Sequence, residues 1–116
     1  MRRRAFLALL PLSTLPLWAG CAGTVPPATP AQRAQVRVTL YTTRWCAACA
    51  RARSWLQARG IPYDERDVEE SAAAAARNRS LNRSGTVPTI VVEGTVVVGF
   101  AEEELRTAID RAAHRY

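Results

Sequence analysis

Two cysteines stand three positions apart in the stretch LYTTRWCAACARARSWL, and the 116-residue chain holds only one other, Cys21. Thiols at the spacing of Cys46 and Cys49 can clamp a metal, staple the chain or cycle as a redox couple. A zinc site would need two further ligands, and beyond the pair the folded part offers only His114. A structural disulfide across two residues closes so small a loop that it constrains the unfolded chain very little. The redox reading suits the local order best. A helix opening at Cys46 would favour its thiolate through unpaired amides and the helix dipole, and would set Cys49 one turn behind to resolve a mixed disulfide. Arg44 could add positive charge and Trp45 a flat wall, or the two could be an ordinary solvated arginine and a rim aromatic.

The elements that must position the pair are legible on either side. VRVTLY alternates and is β-branched, as a strand does. From Cys46 to Arg59, Cys49, Ala52 and Leu56 recur at helical spacing, and Gly60 closes the helix. IPYDERDV reads as a second strand, giving a parallel βαβ unit. EESAAAAARNRSL reads as an alanine-rich helix with acids at its start and arginines at its end. PTIVVEGTVVVGF gives two strands joined across Glu93 and Gly94. In the final AEEELRTAIDRAAHRY, Leu105, Ala108, Ile109 and Ala112 form one apolar stripe below an acidic first turn. No internal repeat is present.

The first 35 residues read differently. MRRR followed by AFLALLPLSTLPLW has the layout of an export signal, too short and too proline-broken to span a membrane. It ends in WAGC. Ala19-Gly20 before Cys21 resembles the lipobox of bacterial lipoproteins, with Trp18 where leucine is usual, and this implies lipid attachment at Cys21. RRAFL also resembles a twin-arginine export pattern. Ala22, rather than an acid after Cys21, points to an outer membrane in a two-membrane envelope. The expected division is therefore an export signal over 1–20, a Pro/Ala-rich tether over 21–35 and a domain over 36–116. The alternative is a plainly cleaved signal that leaves Cys21 as an odd thiol.

Charge and composition limit the partners. The formal charge is +6, and all sixteen basic Lys/Arg positions are arginine. Removing Arg2, Arg3 and Arg4 with the signal leaves thirteen arginines against ten acids, about +3, scattered among those acids. No basic face with interleaved aromatics is present, so nucleic acid is not an expected partner. With 48% apolar residues the chain can build one modest core.

Taken together, LYTTRWCAAC, GIPYDERDV, SGTVPTIVV and VVGFAEEEL, in this order and at these separations, resemble the glutaredoxin family from Val36 to about Ala113. The resemblance implies the thioredoxin fold: a four-stranded mixed sheet in order 2-1-3-4 flanked by three helices. It implies a cis Pro88 facing the cysteines, and Thr86 and Val87 lying beside a bound peptide or glutathione, so that the candidate substrate contacts are Arg44, Trp45, Thr86, Val87 and Pro88. Read alone, Pro88 is better taken as a plain strand-start residue. The chain departs from the family at Ala47-Ala48, where many members carry Pro-Tyr, and at Val98, which replaces the first glycine of a Gly-Gly used by glutathione-dependent members. GFAEEEL is closer to the branch that draws electrons from a flavoprotein reductase. Glu102 to Glu104 read either as a substrate contact or as dipole complements.

The expectation is a monomeric, membrane-tethered, envelope-facing thiol–disulfide oxidoreductase with Cys46 as nucleophile and Cys49 as resolving thiol. It needs no cofactor besides that redox-active pair. Its partners would be a disulfide-bearing client protein or small thiol and a separate electron donor or acceptor. The competing reading is a copper(I) carrier on the same two sulfurs.

Overall fold

The computed structural model describes residues 23–116. The elements run α1 (Pro30–Arg33), β1 (Val38–Thr42), α2 (Ala47–Ala58), β2 (Asp64–Asp67), α3 (Ala72–Leu81), β3 (Thr89–Val92), β4 (Thr95–Val98) and α4 (Glu102–Ala113). The four strands form one sheet in order β2-β1-β3-β4. β1 pairs parallel with β2 and antiparallel with β3, and β3 pairs antiparallel with β4. The sheet is the expected mixed one.

β1 is central and almost wholly buried, with Leu40 fully enclosed, because both its neighbours and the helices cover it. β2 reads Asp-Glu-Arg-Asp and is largely exposed, as suits an edge that must not recruit another strand. α2 turns Cys49, Ala52, Trp55 and Leu56 inward. α4 contributes the expected stripe of Leu105, Ala108, Ile109 and Ala112. These meet Ile90 and Val97 from the sheet in one core, where each fully buried aliphatic side chain contributes roughly 1.5–3 kcal/mol.

The turns follow from local chemistry. Gly60 takes φ +63 just past α2, and the amides of Gly60 and Ile61 donate to the carbonyls of Gln57 and Leu56 at 3.1 and 3.0 Å. This is a Schellman closure, which a glycine makes without a side-chain penalty. Glu93 and Gly94 form the two-residue hairpin connection with φ +47 and +103.

Two expectations need correction. The three expected helices are present as α2, α3 and α4, and in addition Pro30–Arg33 forms a turn of helix within the stretch read as tether. Thr29 caps it: its hydroxyl accepts from Gln32 N–H while Gln32 Oε1 accepts from Thr29 N–H, at 3.2 and 2.9 Å. Asp110 of α4 then anchors the segment, accepting from Ala28 N–H at 3.1 Å and from Arg33 Nε at 3.0 Å. The folded unit thus reaches back to Ala28, which is buried, rather than beginning at residue 36. The acids expected at the start of α3 also lie elsewhere. Ser71 caps that helix, and Glu69 and Glu70 belong to the turn before it.

Candidate active site

Cys46 is the N-cap of α2, with extended backbone, and Cys49 lies in the first turn. The two are joined as a disulfide with their Cα atoms 5.2 Å apart. Cys49 N–H donates to Cys46 Sγ at 3.1 Å, so the sulfur occupies the place a serine or aspartate oxygen takes in an ordinary helix cap. Cys46 retains 8% exposure and Cys49 none, which gives the pair an outer and an inner sulfur.

The loop before β3 meets this helix end. Because Tyr41 pairs with Thr89, the segment leaving β1 and the segment entering β3 emerge at the same end of the sheet. The Val87–Pro88 bond is cis, and the Val87 carbonyl oxygen lies 3.8 Å from Cys46 Sγ. Thr43, Trp45, Cys46, Val68, Glu69 and the run Gly85–Val87 line a groove of about 330 Å3 beside the sulfur. Trp45, 73% exposed, stands at its rim and donates from Nε1 to Glu69 Oε1 at 2.8 Å.

Of the residues singled out in the sequence, the structure gathers Trp45, Cys46, Thr86 and Val87 in this groove, with Pro88 buried beneath. It does not bring Arg44 there. That side chain is exposed, pairs with Glu70 and lines the neighbouring hollow with Arg53 and Glu65. Glu102 and Glu103 are also engaged elsewhere: Glu102 accepts from Trp55 Nε1 at 3.1 Å, and both acids pair with Arg106. His114 contacts the Pro26 carbonyl at 2.8 Å. Cys21 lies outside the described residues. Among those residues no group of three or more His, Cys, Asp or Glu is placed to hold a metal ion, and no helix is long and apolar enough to cross a membrane.

Sequence reasoning missed the residues that shape the loop. Asn78, 1% exposed, donates from Nδ2 to the carbonyls of Gly85 and Thr86 at 3.1 and 3.2 Å. Asn82, the C-cap of α3, directs its Nδ2 to Thr86 Oγ1 at 3.0 Å, with the Thr86 carbonyl and Thr89 Oγ1 each at 3.3 Å. The available signal was an asparagine four residues after Ala74, on the one face of the alanine helix that turns inward. Asp67 was missed too. Its Oδ1 accepts from the amides of Glu69 and Glu70 at 2.8 and 3.2 Å, forming the turn that presents Glu69 to the groove.

Comparison with known proteins agrees with this architecture. The family model described as Glutaredoxin matches residues 38–97. A Mycobacterium tuberculosis protein that bears a provisional glutaredoxin name is 36% identical over 78 residues, which cover 66% of this chain and 93% of that protein. Among solved structures, the thioredoxin-like protein BC3987 is 36% identical with a TM-score of 0.53, covering 61% of this chain and 97% of its own. Methanoredoxin of Methanosarcina acetivorans shares the fold at 22% identity and a TM-score of 0.61, covering 75% of this chain and 98% of its own. With the thioredoxin-like sheet, the Cys46–Cys49 pair at a helix start and a family match over more than half its length, the chain belongs to the glutaredoxin family.

Proposed function

We propose that the protein is a thiol–disulfide oxidoreductase in which Cys46 is the nucleophile and Cys49 the resolving thiol. One observation carries the assignment of roles: Cys46 Sγ sits at the groove and at the start of α2, whereas Cys49 is fully buried behind it. In the reduced protein, the amide of Cys49 that now donates to Cys46 Sγ favours a thiolate there, assisted by the helix dipole. The thiolate attacks one sulfur of a client disulfide. A Cys46–client bond forms, the client S–S bond breaks, and the other client sulfur departs as thiolate. Cys49 then gives up its proton and attacks Cys46 Sγ, releasing the second client thiolate and leaving the Cys46–Cys49 disulfide. The client gains two electrons and the pair loses them. A separate dithiol or thiol partner returns the pair to its reduced form, and the reverse sequence oxidises a client. Trp45, Thr86 and Val87 line the path by which the client sulfur reaches Cys46.

Trapping tests this. In a Cys49→Ser variant, client proteins should accumulate disulfide-linked to Cys46, visible as adducts on non-reducing gels and lost when Cys46 is also replaced. If no adduct forms and the wild-type protein is isolated with stoichiometric copper on its two thiols, the carrier reading replaces this one.

The location belongs to the same proposal. The cationic start, broken apolar run and Ala19-Gly20-Cys21 support a lipid anchor at Cys21, holding the domain against a bacterial membrane and facing the periplasm, with the outer membrane favoured by Ala22 where there are two membranes. Cys21→Ser should move the protein from the membrane fraction to the soluble one and abolish a lipid-bearing N-terminal peptide in mass spectra. An unchanged distribution and peptide mass would leave an ordinary export signal.

A further inference from the structure

Among the described residues Glu69 is the one charged side chain lining the groove beside Cys46, and no cation lines it. Its carboxylate and its backbone amide each make one hydrogen bond. Oε1 accepts from Trp45 Nε1 at 2.8 Å, and its backbone amide donates to Asp67 Oδ1 at 2.8 Å. The cations nearby are already matched: in the adjoining hollow, Arg44 pairs with Glu70 and Arg53 pairs with Glu65 at 2.5 Å. Setting these pairs aside leaves Glu69 as a carboxylate without an ion pair at the groove, and Asp67 as another in the adjoining hollow, in a chain whose formal charge is +6. Thr43, 3% exposed, lies against both hollows, and its buried Oγ1 has no hydrogen-bond partner among the described residues.

An anion lining the path of a substrate favours cations and disfavours anions on that path. We infer that the groove selects disulfides flanked by positively charged groups over disulfides that bear carboxylates, with Glu69 as the specificity-determining residue. This deepens the oxidoreductase reading and rests on it. A basic peptide segment carrying a cystine fits such a groove. Glutathione disulfide, with two carboxylates and one ammonium on each half, is of the disfavoured kind.

Three small disulfides test the inference in a single turnover that requires no added reductant: cystamine carries two positive charges, 2-hydroxyethyl disulfide none and 3,3′-dithiodipropionate two negative charges. Reduced protein is mixed with an excess of each, quenched with acid and assayed for free Cys46 and Cys49. The ratio of the cystamine rate to the dithiodipropionate rate is compared between wild type and Glu69→Gln, so that the disulfides' intrinsic reactivities cancel. Glu69→Gln keeps an oxygen that can accept from Trp45 and removes only the charge. The ratio should fall about ten-fold at low ionic strength and less at high salt, and Glu69→Lys should lower it further. Ratios within two-fold of wild type in both variants, while 2-hydroxyethyl disulfide still oxidises the pair, would overturn the charge selection and leave the oxidoreductase reading standing. Failure of all three disulfides to oxidise the wild-type pair would overturn both.

Discussion

Cys46 Sγ and the carbonyl oxygen of Val87 lie 3.8 Å apart although 41 positions separate them in the chain. The antiparallel register of β1 and β3 produces this meeting, by setting Thr89 beside Tyr41 so that the two loops share one end of the sheet. The Gly85–Val87 backbone therefore walls the groove at the outer sulfur, and the inner sulfur lies buried behind it.

That ordering predicts unequal thiols. When the reduced protein is treated with limiting iodoacetamide at neutral pH, Cys46 should be alkylated about a hundred-fold faster than Cys49, because it alone combines access with the amides of a helix start. Peptide mapping by mass spectrometry reads this directly. Equal labelling, or preference for Cys49, would contradict the assigned roles.

The loop is held from behind by α3. Removing the amide in Asn78→Ala leaves the part-buried carbonyl of Gly85 without its side-chain donor and takes one of three donors from the carbonyl of Thr86, at a cost of roughly 1–3 kcal/mol. Because those carbonyls belong to the groove wall, the rate of exchange at Cys46 should fall several-fold at temperatures where the variant remains folded. Denaturant melts alongside single-turnover rates separate the two effects. Full activity in a destabilised variant would make Asn78 a packing residue only.

The contrast between the two cysteines and Asn78 explains how much was legible beforehand. CxxC after a strand and before a helix, the Glu93-Gly94 turn and the apolar stripe of α4 are local patterns, and local patterns set local structure. Residues 28–35 have the composition of a linker, while their order comes from a partner 82 residues away: Asp110 accepting from Ala28 N–H. Arg44 was assigned by proximity in sequence, but the side chain turns to Glu70, which no spacing rule reveals. Glu69 was read as a helix-start acid, yet Asp67 moves it into the groove.

Asp110 makes the clasp testable. Its carboxylate is nearly buried and serves both Ala28 N–H and Arg33. Asp110→Ala should lower unfolding free energy by roughly 2–3 kcal/mol, from an unpaired buried amide and a released guanidinium. It should also expose residues 28–35 to proteolysis before the rest of the domain. Thermal melts and limited trypsin cleavage at Arg33 check both. Cleavage at the wild-type rate would show that the clasp does not hold the segment in solution.

The C-terminus makes a second closure, and it depends on pH. Tyr116 Oη donates to Glu93 Oε1 at 2.6 Å across the hairpin turn. That hydrogen bond, followed by burial and the glutamate's charge, raises the phenol above its ordinary value near 10. A group whose folded pKa is raised stabilises the fold fully below its unfolded pKa, and that stabilisation is lost as pH climbs through the folded value. The contribution of this closure should hold at neutral pH and disappear above about pH 10. Absorbance titration near 295 nm provides the check. The tyrosinate component missing from Tyr116→Phe should have its midpoint above 10 in the wild type and should move down in Glu93→Gln, where the charge is gone. A midpoint unmoved by Glu93→Gln would mean that the phenol and the turn do not meet in solution, and that the hairpin is held by its own two-residue connection alone.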